Sequence, residues 1–319
     1  MINYNFLQRS LHNIFLSNFF KKTLYDLEKL IFLKSCGDIK SNEHVFITGL
    51  PRSGTTATLN FLYNTNDFVS LTYRNMPFLM APNLNSFFKQ QNPNKEIPRY
   101  HNDGIYININ SPEALDEIFI STFKDNTELK LEYNNFIKLI LKNNYSKKYL
   151  SKNNLNYKRI NLINELFPNS KFLILFRDPI KHAHSLHKQH LNFLNIQKKN
   201  KFILKYMNHL NHFEFGSNHK PWNKSENYFD FIDQNYWLEQ WYLFYKDIIN
   251  QFTKNKKCFF ICYEDLANDS YQQKLLGMLN VSSESNFKIV INSSKPEINF
   301  NENLYLSCLD IYKKMKNLI

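Results

Sequence analysis

His44-Val45-Phe46-Ile47-Thr48-Gly49-Leu50-Pro51-Arg52-Ser53-Gly54-Thr55-Thr56 reads as a short strand that turns through a tight loop into a helix, whose pattern continues to Tyr63. An apolar run of this length, bounded by glycine, fits a strand covered on both faces. Gly49 and Gly54 keep the glycine spacing of the phosphate-binding pattern G-x4-G-K-[ST]. In that setting the backbone N–H groups of Gly54, Thr55 and Thr56 point toward an anion at the helix start. Thr55, however, stands where the pattern has its lysine, the cation that a nucleoside triphosphate needs at its outer phosphates. The cation inside this loop is Arg52, earlier in it. The loop therefore suits an anion with less charge at the Thr55 end, reached by Arg52 from the other side.

Moving outward, three further segments read as strands: Phe68–Tyr73, Lys171–Phe176 and Lys257–Tyr263. Helical patterns cover Glu128–Lys142, Lys158–Phe167, the stretch from Pro179 to about Phe193, and Asp233–Phe252. Ser111-Pro112-Glu113 has the makings of a helix start, with serine as the cap, proline first and an acid in the first turn. Residues 77–110 are rich in proline, asparagine and aromatics without a steady period, and 198–227 are polar. Both read as irregular insertions. Apolar strands alternating with helices predict an α/β fold around a parallel sheet, with function at the carboxyl ends of its strands.

The 319 residues fit a single domain, with an N-terminal helical segment over 1–40 and a motif-bearing core over 44–270. A hydrophobic content of 43% excludes general disorder. The formal charge of +12 is spread along the chain, without arginine-rich tracts. It suits the approach of an anionic cosubstrate, and no nucleic-acid partner is expected. Cys36, Cys258, Cys262 and Cys308 suggest no disulfide framework, which favours a reducing, cytoplasmic setting. The charge-free run Ser10–Phe20 is too short to span a bilayer. Leu7, Leu11, Phe15, Leu24, Leu27 and Ile31 recur at helical spacing, so this helix is expected to pack on the domain; peripheral membrane contact is the alternative.

A second anion anchor follows the Lys171–Phe176 strand, in Arg177-Asp178-Pro179-x5-Ser185. Arg177 at a strand end can fork to a phosphate, and Ser185 on the next helix adds a hydroxyl donor. Pro51-Arg52-Ser53-Gly54-Thr55-Thr56 resembles the 5′-phosphosulfate loop of the sulfotransferase superfamily, especially its bacterial and carbohydrate branches. The Arg177–Ser185 stretch resembles the same family's 3′-phosphate motif, and Tyr263-Glu264-Asp265-Leu266 its late strand end. The resemblance implies a P-loop-like three-layer α/β/α fold and 3′-phosphoadenosine 5′-phosphosulfate (PAPS) as sulfonate donor, with no metal. It gives Arg52 contact with the sulfonate region, puts Ser53, Gly54, Thr55 and Thr56 around the 5′-phosphate, and Arg177 and Ser185 at the 3′-phosphate. It also implies an acceptor hydroxyl or amine, with a carbohydrate as first choice, and a mainly structural role for the Tyr263–Leu266 stretch.

The acceptor needs a base, and the family uses a histidine or a carboxylate. Glu113, Asp116 and Glu117 would share a helix face, and Ser-Pro-Glu-Ala-Leu-Asp-Glu resembles an acidic stretch of bacterial relatives, so Glu113 is the first choice with the other two behind it. Lys152 is placed either near the cosubstrate or in solvent. His182, His184, His187 and His190 lie on one helix, but steps of three drift around it and no carboxylate lies among them, which argues against metal. Two rival readings are a P-loop-type nucleotide kinase and a non-catalytic anion-binding module.

Overall fold

The strand that opens the phosphate-type loop is the central one. In the computed structural model, which describes residues 12–39, 42–87, 96–98, 106–123, 126–285, 287–289 and 300–319, β1 (Val45–Thr48) lies between β5 (Lys148–Lys152) and β6 (Lys171–Phe176). β2 (Phe68–Val69) joins outside β5, and β7 (Cys258–Cys262) outside β6. All four pairings are parallel, with Ile47 opposite Lys152, Thr48 opposite Ile174, and Phe176 opposite Cys262. A separate antiparallel pair joins β3 (Ile97–Pro98) to β4 (Tyr106–Ile107).

Because side chains alternate along a strand, the apolar runs sort into two layers. Phe46, Phe172, Ile174 and Phe176 face one side, against Trp237, Trp241 and Tyr245 of α8 (Gln234–Phe252) and Ile163 of α5 (Ile160–Leu166). Ala183 and Leu186 of α6 (Pro179–Lys199) and Cys308 and Ile311 of α10 (Glu302–Lys316) belong to the same layer. Val45, Ile47, Leu173 and Leu175 face the other side, against Leu59 and Leu62 of α2 (Thr55–Tyr63) and Leu275 and Leu276 of α9 (Asp269–Met278). This is the expected three-layer arrangement, with a parallel sheet covered on both faces.

Several expectations are corrected. The helix expected from Ser111 begins later, as α3 (Asp116–Ile120), because Pro112 forms a bridge with Thr72 and Glu113 N donates to Leu71 O. The strand expected over Phe68–Tyr73 stops at Val69, and Tyr73 opens a 3-10 turn whose capping box pairs Thr72 with Asn75. β5, unrecognised because lysines stand at both its ends, is buried along most of its length. The insertion at 198–227 contains α7 (Lys201–His209). Of residues 77–110, only 77–87, 96–98 and 106–110 are described.

In the N-terminal segment, α1 (Asn18–Phe32) packs beside α4 (Asn126–Ile140), but by another face than expected. Tyr25 and Glu28 are buried; Glu28 accepts hydrogen bonds from Asn83 N, Asn83 Nδ2 and Leu84 N. Leu24 packs on the core, whereas Leu27 and Ile31 are exposed together with Phe19 and Leu30. Leu7 and Leu11 lie outside the described residues. No helix among the described residues is long and apolar enough to cross a membrane.

Candidate active site

Parallel strands bring the ends of β1, β5, β6 and β7 to one edge, and the candidate residues collect there. The loop after β1 depends on two glycines. Gly49 (φ 141°) leaves no room for a side chain, since a Cβ would sit 2.5 Å from Leu175 O. Gly54 (φ 95°) caps α2 in the left-handed region, and a Cβ there would sit 2.2 Å from the Tyr263 ring. Arg52 itself has φ 71°, an unusual conformation for a residue with a side chain.

Contacts from below hold the loop in this shape. Ser53 Oγ donates to Leu50 O at 2.7 Å, so its hydroxyl turns into the loop and away from a ligand. His182 Nε2 lies 2.7 Å from Pro51 O. Burial lowers the His182 pKa to about 3, so the ring is neutral, and because a carbonyl only accepts, Nε2 carries the proton. His182, one of the four histidines on this helix, thus supports the loop.

The two sequence-predicted anchors meet. Arg52 Nε donates to Ser185 Oγ at 3.1 Å, joining the loop after β1 to α6 across 133 residues of sequence. Arg177 leaves β6 and lies over the Tyr263 ring, 5.0 Å from its centroid. Its Nε is buried without a hydrogen-bond partner, 3.7 Å from Glu264 Oε1. Glu264 Oε1 also accepts from Asp178 N at 3.2 Å, and Asp178 caps α6 by accepting from Lys181 N at 2.9 Å. Thus Tyr263 and Glu264 are more than a strand end: the ring lies against Gly54 and under Arg177, and the carboxylate steers the guanidinium.

Beside the loop lies a cavity lined by Arg52, Thr55, Thr56, Glu113 and Lys152. Lys152 comes from the end of β5 and is buried, which removes the solvent alternative. The three acids separate. Glu113, in an extended segment, is 7% exposed; its Oε2 accepts from Tyr73 OH at 2.7 Å and its Oε1 from Ala114 N at 2.9 Å. Outside a helix, it has no first-turn dipole role. Asp116 turns away and accepts from Ser151 Oγ, and burial raises its pKa to about 6. Glu117 lines the cavity but is held by Arg159 Nη2 and Asn153 Nδ2, both at 2.8 Å.

Of the helix-borne histidines, His190 accepts from Gly216 N at 3.3 Å, and burial lowers its pKa to about 4. No metal-binding group occurs among the described residues. The cavity includes His212 and Tyr206, neither of which carried a sequence signal.

A family profile described as "Sulfotransferase family" matches residues 44–275, from the start of the central strand into α9. The chain belongs to the sulfotransferase family. A solved structure agrees in fold. The crystal structure of sulfotransferase STF9 from Mycobacterium avium matches with a TM-score of 0.50 at 9% identity, over 98% of this chain and 79% of that one. That of sulfotransferase STF1 from Mycobacterium tuberculosis gives a TM-score of 0.47 at 11% identity, over 98% and 86%. Comparison with curated protein sequences finds no match.

Proposed function

We propose that this sulfotransferase takes its sulfonate from PAPS and passes it to an acceptor hydroxyl, with Arg52 and Glu113 as the catalytic pair. The observation that carries this reading is the Arg52 Nε–Ser185 Oγ contact, which puts both anion anchors at one site. The residues fit the donor. The buried Arg177 Nε, ion-paired with Glu264 Oε1 at 3.7 Å, beyond hydrogen-bond distance, can still donate to an anion, and Gly54 starts α2 without a side-chain cap. Thr55, Thr56 and Arg52 would receive the 5′-phosphosulfate, and Arg177 with Ser185 the 3′-phosphate. PAPS supplies an activated sulfonate whose leaving group is 3′-phosphoadenosine 5′-phosphate (PAP).

In transfer, the donor S–O bond to phosphate breaks and a new S–O bond forms to the acceptor oxygen. The acceptor's proton goes to Glu113, whose carboxylate is fixed by Tyr73 and Ala114 N. Arg52 keeps its proton and stabilises the charge that develops around the sulfonate. Lys152 adds a second cation beside the loop. The acceptor favoured by the sequence resemblance is a carbohydrate hydroxyl. The four free thiols suit a cytoplasmic setting.

A magnesium-dependent kinase fits less well, since it needs acids at strand ends for the metal. Asp178 caps α6, Glu264 accepts from Asp178 N, and Asp265 pairs with Lys316 at 2.5 Å. Calorimetry with PAP and with ATP–magnesium tests the donor. PAP should bind at least tenfold tighter, and Arg177→Ala should weaken PAP by about 10- to 100-fold, the loss of a hydrogen bond to a charged group. Tighter ATP binding would sink the reading.

A further inference from the structure

The cavity beside Arg52 combines a few charged groups with a larger apolar wall. It offers Arg52, Glu113 and Lys152, and Ile107, Phe193, Met207, Leu210 and Phe215 line the wall. Phe193 follows Ser185 by eight residues on α6, about 12 Å along the helix axis, so this part of the apolar wall stands well away from the Arg52–Ser185 contact. It is also firmly packed: the Phe193 and Phe215 rings are stacked with centroids 6.2 Å apart, and Gln197 Nε2 donates to Met207 Sδ.

Several polar groups around this wall are engaged with the protein, while Asn154 Oδ1 is buried without a hydrogen-bond partner. Glu117 is held by Arg159 and Asn153, Asn211 Nδ2 donates to Ser121 Oγ at 2.7 Å, and Asn154 Nδ2 donates to Glu214. A free sugar carries hydroxyls on nearly every face, and each one buried without a partner weakens binding. Hydrocarbon has the opposite preference, gaining by leaving water for this wall.

We infer that the acceptor is an amphiphilic alcohol: its reactive hydroxyl stands at Arg52 and Glu113, and an apolar body lies against Phe193, Met207, Leu210 and Phe215. A sugar enters as the head of an apolar glycoside, and free sugars are poor acceptors. This rests on the reading of the cavity as the acceptor site of a PAPS-dependent enzyme. The reaction is the one given above, with the alcohol oxygen bonding to sulfur, its proton going to Glu113 and PAP leaving.

Octyl glucoside, below its micelle-forming concentration, and glucose are the probes. Their binding to the full-length, PAP-loaded protein is measured by calorimetry, and sulfonate transfer is followed with 35S-labelled PAPS. Octyl glucoside should bind at least tenfold tighter than glucose and exceed it at least tenfold in kcat/KM. Met207→Gln and, separately, Leu210→Gln should cut that preference to threefold or less, with PAP affinity within twofold as the check on folding. Equal use of glucose, or no binding of octyl glucoside to the PAP-loaded protein, overturns the inference. Failure of PAP itself to bind the unmodified protein removes the donor reading beneath it, and the inference with it.

Discussion

The proposed donor side and the proposed acceptor side of this cleft are built in different ways. On the donor side, the loop after β1 holds its shape through short-range contacts such as Ser53 to Leu50 and through glycines that admit close neighbours. On the acceptor side, distant segments converge: Glu113 is held by Tyr73, forty residues earlier, as well as by its neighbour Ala114 N, and the apolar wall combines β4, α6, α7 and the segment after it. A ligand common to many enzymes can be met by a compact, recurring motif. A ligand particular to one enzyme is met by side chains that only the whole fold brings together.

The sharpest way to break this comparison is at Arg52, which belongs to both sides. Arg52→Ala should lower kcat by about 10²–10³-fold, as expected for loss of an electrostatic donor to the transition state, and weaken PAP by less than tenfold. Single-turnover transfer and PAP titration measure the two effects. A PAP affinity that collapses as far as kcat would show that the sides are not separable.

The next effect concerns Asp116, placed behind the acceptor side. Its folded pKa is raised from 3.8 to about 6, so its contribution to stability is full below about pH 4 and lost as pH rises through about 6. At 1.36 kcal/mol per unit, this amounts to about 3 kcal/mol. Asp116→Asn, which cannot ionise, should remove that slope in urea denaturation between pH 4 and pH 7. The pH dependence of transfer should stay where it was; if it moves with Asp116, this acid belongs to the chemistry.

The smallest effect tests how Glu113 is held. Tyr73→Phe removes the hydroxyl that donates to Glu113 Oε2 and should lower kcat by about tenfold, with KM for PAPS unchanged, on the scale of one hydrogen bond to a charged group. An unchanged kcat would leave Tyr73 a packing residue and weaken the case for Glu113.

The same contrast explains what could be read from the sequence. β1, β6 and β7 were legible because their apolar runs are continuous, and Arg52, Arg177 and Ser185 could be named as candidates because they stand at fixed offsets from strand ends. β5 was not, since Lys148 and Lys152 bound it and read as solvent-facing; burial of Lys152 at the cavity is a tertiary effect. The Ser111-Pro112-Glu113 signal pointed to a helix start that the chain does not make: a bridge to Thr72 outweighed a capping preference. Tyr263 and Glu264 were noticed as a motif, but the contact of that ring with Gly54, more than two hundred residues away, has no trace in local spacing.

That contact has a consequence for the growing chain. Gly54 and Arg177 are made early and midway, yet the ring that lies against one and beneath the other arrives with Tyr263. A nascent polypeptide that has not yet emerged past this residue can shape the first loop but cannot seat the guanidinium above it. Competence to grip the proposed nucleotide at both ends is therefore acquired late in synthesis, and truncated chains ending before Tyr263 should not bind PAP.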